Sequence, residues 1–559
     1  MRMRSLRKAA LTAALATTAL AAQAAADSVR REPKLAAAAW CAQPGQATTE
    51  AEAAPAPVLV EGLGFAGIEP DSANAEARAW FAQGVRLVWA FDEVEAIRAF
   101  QQAQRLDPSC ALCFWGEAWA RGPTINLRPR TEELAAARAA AERAVALSGD
   151  LGAREKRLVR AMRLRTTGDD FANARYAAAM ERMARRYPAD DAVAVIAADA
   201  RMVAQSPDEF RDGSPTQSLL EAVLARSPDH SGAIHMYIHL TDWIDRQALA
   251  EPHAERLGRI APAASHLVHM PSHTFYGVGR YSDAAAVNVR AIAADRSYVE
   301  RVRPRASDYR TGLLAHNMHF AVNSALMRND APTALSVADQ LKDRFLQEGG
   351  EDYFQVIGSA VWYARGLHAA PEAVLAMAAP AADNVLHRAL RHYARGEALA
   401  RSGGDPASVR AEAQAIAALR EGAEAPALGS DTASKLVAIA QHVLEGRAAM
   451  IAGDPTAAAT FYRAAMDRQI EADFSADPPL WWYSVRRSLG AALLAAGEHR
   501  SAREQLAASL RRWPNDPLAL LALSRAEQAL GNGEESARAL AAARAGWEGD
   551  ITAMPLSRI

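Results

Sequence analysis

The chain has 559 residues, enough for a large core or several, and its 63 Lys and Arg nearly cancel its 65 Asp and Glu. The formal net charge of -2 gives no global argument for nucleic acid or an anionic membrane surface as partner. Half of the residues are hydrophobic, with Ala and Leu ahead of the β-branched types, a composition that favours helix almost throughout.

The first 26 residues read as a signal peptide. Arg2, Arg4, Arg7 and Lys8 form a basic start, residues 9–22 are apolar and rich in Ala and Leu, and small residues at 22–26 offer a cleavage site. The apolar stretch is too short and small-residued for a good membrane span. This predicts a periplasmic or secreted protein. Residues 27–73 read as an irregular segment, with an Ala/Pro/Glu-rich linker at 50–57. Of the three cysteines, Cys110 and Cys113 have redox-motif spacing but lack a surrounding βαβ pattern. In an oxidising compartment a disulfide is plausible, and Cys41 paired with one of them would staple the N-terminal segment down.

From residue 74 the pattern is helical, in pairs that recur every 30–45 residues or so. Residues 75–108 show it best. Trp80, Phe81 and Gly84 lie on the first helix, Ala96-x3-Phe100 on the second, and Pro108 closes the unit. Small residues let the two helices approach, and the proline stops the second one. The same grammar returns at 154–188, 219–228, 277–295, 446–468 and 488–514, with a capping pair at 516–547. The expectation is an all-α fold, a TPR-like right-handed superhelical solenoid of about a dozen antiparallel helix pairs. Residues 74–228 form its N-terminal repeats, 229–346 a histidine-bearing centre and 347–559 the C-terminal repeats with capping helices. The turns at 122–129 and 206–216 break the rhythm and predict loops on one face.

Seven histidines are candidate ligands on three stretches expected to be first helices of successive central pairs. His235 and His239 lie on 229–242, His266, His269 and His273 on 263–278, and His316 and His319 on 309–328. At about 100° per residue each set keeps to one narrow face. First helices of TPR pairs line the concave side, so the seven imidazoles are expected to point into one groove and hold a transition metal, copper or zinc. Met236, Met270 and Met318 are sequence neighbours that would favour copper, although adjacent helical residues diverge by about 100°. Pro271 predicts a kink or a helix start inside the middle set. Other groups expected near the groove as substrate or partner contacts are Trp115, Glu117, Asn126, Asn317 and Trp481, Trp482, Tyr483, Arg486 and Arg487, the last five on a late inner helix. No phosphate loop, nucleophile elbow, kinase set or His-Glu-x-x-His motif is present.

The stretches 106–118, 122–126, 235–239, 266–273 (His-Leu-Val-His-Met-Pro-Ser-His), 316–320 and 478–487 together resemble a bacterial family of exported TPR proteins. The likeness covers most of the chain from about residue 75. It implies the repeat fold and supplies no reaction or ligand. Two functions follow as expectations: a metal-binding periplasmic protein or metalloenzyme, and a scaffold that takes a peptide, protein segment or small molecule in its groove.

Overall fold

The computed structural model describes residues 55–305, 307–346, 352–422, 425–472 and 478–559. The expected signal peptide, the first part of the irregular segment and Cys41 lie outside the described residues. Residues 55–73 lack helix, as expected, but bury Val60, Leu63 and Ile68 against the repeats.

The described residues are helical with no strand. The N-terminal part comprises α1 (Ala75–Trp89), α2 (Glu93–Leu106), α3 (Ala111–Ala120), α4 (Thr131–Leu147), α5 (Ala153–Arg165), α6 (Ala172–Arg186), α7 (Asp191–Ala204) and α8 (Pro215–Arg226). The centre comprises α9 (Ser231–Trp243), α10 (Glu251–Ile260), α11 (Ser265–His269), α12 (Pro271–Gly277), α13 (Tyr281–Val302), α14 (Asp308–Arg328) and α15 (Ala331–Phe345). The remainder comprises α16 (Asp352–Ile357), α17 (Ser359–His368), α18 (Pro371–Leu375), α19 (Val385–Arg401), α20 (Pro406–Glu421), α21 (Asp431–Ile451), α22 (Pro455–Glu471), α23 (Arg486–Ala495), α24 (His499–Arg512), α25 (Pro517–Ala529) and α26 (Gly533–Gly546). Consecutive helices pack on one another along the chain, the arrangement of an all-α repeat array.

Close packing explains the small residues. A Cβ on Gly84 or Gly116 would lie 2.7 or 2.4 Å from Phe100, so the glycines of α1 and α3 form the slot that the α2 phenylalanine fills. Gly446 against Tyr462 and Gly490 against Leu506 repeat the relation in α21–α22 and α23–α24. Helix starts follow the sequence as well. Asn74, Asp190, Asp330, Asp454 and Asp516 cap the following helices with side-chain oxygens.

The two ends of the array fold back on its middle. Gly62 O accepts from Ala263 N at 2.9 Å, and Phe65 N donates to Ser231 at 3.0 Å. From the other end, Tyr281 donates to Pro514 O, Asn323 to Pro479 O and Glu548 N to Arg328 O. The C-terminal Ile559 is buried, its O bonded to Ser488. The inner side around the histidines is therefore covered by the chain's own segments rather than left as an open trough.

Three local expectations change. Cys110 is disulfide-bonded to Cys113, three residues on, so neither is available to Cys41. This pairing is local because Cys110 is the N-cap of α3 and Cys113 sits in its first turn, with Cα atoms 5.4 Å apart. The stretch at 478–485 is not helical, and α23 starts only at Arg486; the backbone before it is tied instead to Gln469, whose amide bonds Tyr483 O and Val485 N. The middle histidine helix is split at Met270 into α11 and α12, with Pro271 in the first turn of α12.

Candidate metal centre

α9, α11–α12 and α14 carry the seven histidines, on the stretches read from the sequence. Six of them converge in two sets of three. His235, His239 and His266 form one, and His269, His273 and His316 the other, the candidate ligand atoms of each set lying within 4.8 Å of one another. Each set takes two residues one turn apart from one inner helix and a third from the next. The break at Pro271 falls inside the second set, between His269 and His273; His266 and His269 share α11 yet belong to different sets.

In the first set, His235 Nε2 lies 3.1 Å from both His239 Nε2 and His266 Nε2. In the second, His269 Nε2 and His273 Nε2 are 2.9 Å apart. A tetrahedral ion with metal–nitrogen bonds of about 2.0–2.1 Å sets its ligands about 3.3–3.4 Å apart, a few tenths of an ångström wider than these three pairs.

The remaining ring nitrogens decide which protons are present. His235 Nδ1–H donates to the carbonyl oxygen of Trp89 at 2.7 Å. His269 Nδ1–H donates to Asn288 Oδ1 at 2.6 Å, and the Asn288 amide is itself fixed by a bond to Ala284 O. Both bonds leave a lone pair on Nε2, aimed at the centre of its set, and hold the ring in place. The single lone pair of His235 faces two other imidazole nitrogens, an arrangement that a cation satisfies at all three. Burial drives the histidine pKa values down, to about 3 for His235 and well below the usual range for His239, His266 and His269. The rings are thus neutral, the form that ligates metal.

Aromatic rings close each set. Phe91 lies over His235, His239 and His266, with centroids 4.4, 6.1 and 5.3 Å away. Phe320 plays the same part for His269, His273 and His316 at 5.2, 5.0 and 5.3 Å. Phe91 has φ of 55°, a left-handed conformation that a bulky residue adopts only when its surroundings enforce it. The two sets touch. His239 and His273 rings are 5.8 Å apart, as are His266 and His269.

The seventh histidine, His319, joins neither set. It is buried, with Nε2 3.2 Å from the Asn323 amide, and burial takes its pKa to about 3. Met236, Met270 and Met318 are buried among the apolar core residues. Asn317 is buried beside Ser265, at the start of α11, and its Oδ1 has no hydrogen-bond partner. Trp115 is buried against Trp119, which packs on Trp89, so it reaches the first set only through the residue that holds His235. Glu117 accepts from Gln101, Gln104 and Arg121, and Asn126 lies in the turn after α3. Trp481 is sandwiched by Tyr363 and Tyr393, while Tyr483 and Trp482 stack under the Arg487 guanidinium. Arg487 pairs with buried Asp516, and Arg486 bonds Gln505. This late segment does back the second set, through Tyr276, which bonds Trp482 O and packs on Phe320, and through Asn323.

Sequence reasoning missed Trp89, Phe91, Asn288 and Phe320 as parts of the site. A backbone carbonyl leaves no trace in residue type, and an asparagine on a second helix has no periodic signal. It also missed a cavity of about 50 Å³ against His266, lined further by Asp92, Glu93, Asp295 and Arg310. Burial raises the Asp92 pKa to about 6 and that of Glu93 well above the usual carboxylate range.

No protein family model and no curated protein matches the chain. Similar solved structures include the human IFIT1 dimer with m7Gppp-AAAA, 13% identical over 85% of this chain and 91% of that one, with a TM-score of 0.28. The Cut9–Hcn1 hetero-tetramer of the APC/C is 12% identical over 86% and 89%, with a TM-score of 0.26. Naa15/Naa10 bound to HypK-THB is 11% identical over 86% and 90%, with a TM-score of 0.21. Fold and site together define an all-helical repeat protein with two adjoining three-histidine clusters at its centre. No helix among the described residues is long and apolar enough to cross a membrane.

Proposed function

We propose that this protein holds two transition-metal ions side by side, one in each three-histidine set, and works as a metalloenzyme outside the cytoplasm. The observation that carries the reading is the convergence of His239 and His266 Nε2 on His235 Nε2, whose other nitrogen is tied to Trp89 O. Imidazole-only sets suit copper or zinc, and the lack of carboxylate in either set argues against calcium, magnesium or a two-histidine, one-carboxylate iron site. Each set supplies three ligands and leaves a fourth position for water or substrate, as catalytic sites do. The export reading is supported by the basic and apolar start of the chain and by the Cys110–Cys113 disulfide.

Elemental analysis of the full chain, purified after exposure to copper or zinc, tests the reading. Two ions per chain are expected. A protein that retains no transition metal after desalting overturns it.

A second reading, a scaffold for a peptide or protein segment, draws on the repeat fold and on a separate cavity of about 630 Å³ between α17 and α19, lined by Trp362, Leu386 and Met377. Capture of a partner that persists in chelator and is lost on replacing Trp362 would favour it over the metal reading.

A further inference from the structure

The cavity against His266 belongs to neither histidine set, and its lining is chemically lopsided. One wall is apolar, built by Leu63, Leu87, Phe91, Leu313 and Leu314. The lining also carries three carboxyls, Asp92, Glu93 and Asp295, against one cation, Arg310. That cation is already committed, since its guanidinium donates to Asp295 at 3.1 and 3.2 Å. Glu95 adds a further buried carboxylate behind Asp92, paired with Arg98.

One atom among these carboxyls is left over. Glu93 is 8% exposed, and its Oε1 is buried without a hydrogen-bond donor. Buried acceptors without donors are rare and call for a partner. In the same lining His266 Nδ1 is likewise buried and unbonded. The cavity is therefore lined by both an unsatisfied carboxyl and a ring of the first histidine set. A larger cavity of about 500 Å³ between α13 and α15 shares Asp295 and Leu314 with it and leads outward.

We propose that this cavity binds a small primary alkylamine, its ammonium on Glu93 and Asp92 and its alkyl group against Leu313, Leu314 and Phe91, and presents it to the first histidine set. The proposal rests on the metal-centre reading for the reaction, while binding itself needs no metal. An ammonium offers three donors to the spare acceptors here, and its positive charge favours ionisation of Asp92 and Glu93, whose carboxyls burial otherwise holds toward the neutral form. A carboxylate ligand would bring no donor for the Glu93 oxygen, and an alcohol would supply one donor and no charge. Size sets the chain length. With 10–15 Å³ of such space per water, 50 Å³ holds about four waters, or an amine of about four or five heavy atoms.

Isothermal titration of the full chain with isobutylammonium chloride, sodium isobutyrate and isobutanol tests this, with metal-free and metal-loaded protein run in parallel. Saturable one-to-one binding of the amine is expected in both forms, at least about tenfold tighter than isobutyrate. Glu93→Gln keeps the shape and is expected to weaken amine binding about tenfold, and Leu314→Phe to weaken it by filling the cavity. Thermal melts of both variants check that they fold. An amine that gives no saturable heat, that binds no better than isobutyrate, or that ignores both folded variants overturns the proposal. Amine binding that responds to Glu93→Gln in a protein that takes up no metal upholds the pocket and removes the metal centre. Metal uptake without amine binding does the reverse.

Discussion

His269 and Asn288 are joined by a 2.6 Å hydrogen bond in which the imidazole Nδ1–H donates to an amide oxygen held from behind by Ala284 O. The bond fixes the tautomer and the tilt of a ring whose Nε2 faces His273. Its counterpart in the other set is the bond from His235 to Trp89 O, which no side-chain substitution can remove. The two sets are thus tunable to different degrees. Asn288→Leu is expected to lower metal affinity at the second set by about 10–100-fold while sparing the first. Competition with a coloured chelator reads this as one weakened and one unchanged step. Equal weakening of both steps would show that Asn288 acts on the fold as a whole.

The division of histidines between the sets makes a separable prediction. His235→Ala removes a ligand from the first set only, and His316→Ala from the second only. Each variant is expected to keep one ion of two. His319→Ala is expected to keep both, because His319 bonds Asn323 and belongs to neither set. Elemental analysis of the three variants decides it. Loss of metal in His319→Ala would mean that the rings regroup on binding.

The buried pair Arg487–Asp516 bears on whether the late arginines touch a ligand. Asp516 is fully buried, caps α25 through the N–H groups of Leu518 and Ala519, and accepts both Nη1 contacts from Arg487 at 3.1 Å. Asp516→Ala strands a buried guanidinium and is expected to cost about 3–5 kcal/mol of stability. Denaturant unfolding measures it. A cost near zero would put Arg487 back among the candidate ligand contacts.

The cysteines give a chemical check. Of the three in the chain, two are joined to each other. Denatured, unreduced protein is expected to take up one alkylating label, on Cys41, and reduced protein three, as read by mass spectrometry of the peptides. A peptide linking Cys41 to either partner would contradict the local pairing.

Packing at the helix crossings can be tested away from the histidines. Gly116→Ala places a methyl 2.4 Å from the Phe100 ring, which Gly84 hems in from the other side. The expected destabilisation is about 1–3 kcal/mol, and Phe100→Leu in the same chain should recover part of it. A thermal melt of the single and double variants reads the coupling.

The sequence by itself determined the all-helical repeat, since pairing, small crossing residues, caps and terminating prolines are written locally in residue type and spacing. It also put seven histidines on three inner helices, and the pairs one turn apart, His235/His239 and His269/His273, are facts of helix periodicity alone. Tertiary structure decided what periodicity cannot express. The neighbouring helices, α9 for His266 and α14 for His269, divide two histidines that share α11, and the packing of α14 brings in His316 while His319 bonds Asn323. It also decided the outer parts of the site, Trp89 O, Phe91, Asn288 and Phe320, which come from loops and neighbouring helices. The late aromatic segment shows the same limit from the other side. Its residues look like a binding face in sequence, yet Tyr363 and Tyr393 enclose Trp481 and Asp516 holds Arg487, so both are buried as packing. A one-dimensional pattern fixes which face of a helix a residue occupies. Only the meeting of several helices fixes which atoms share a point in space.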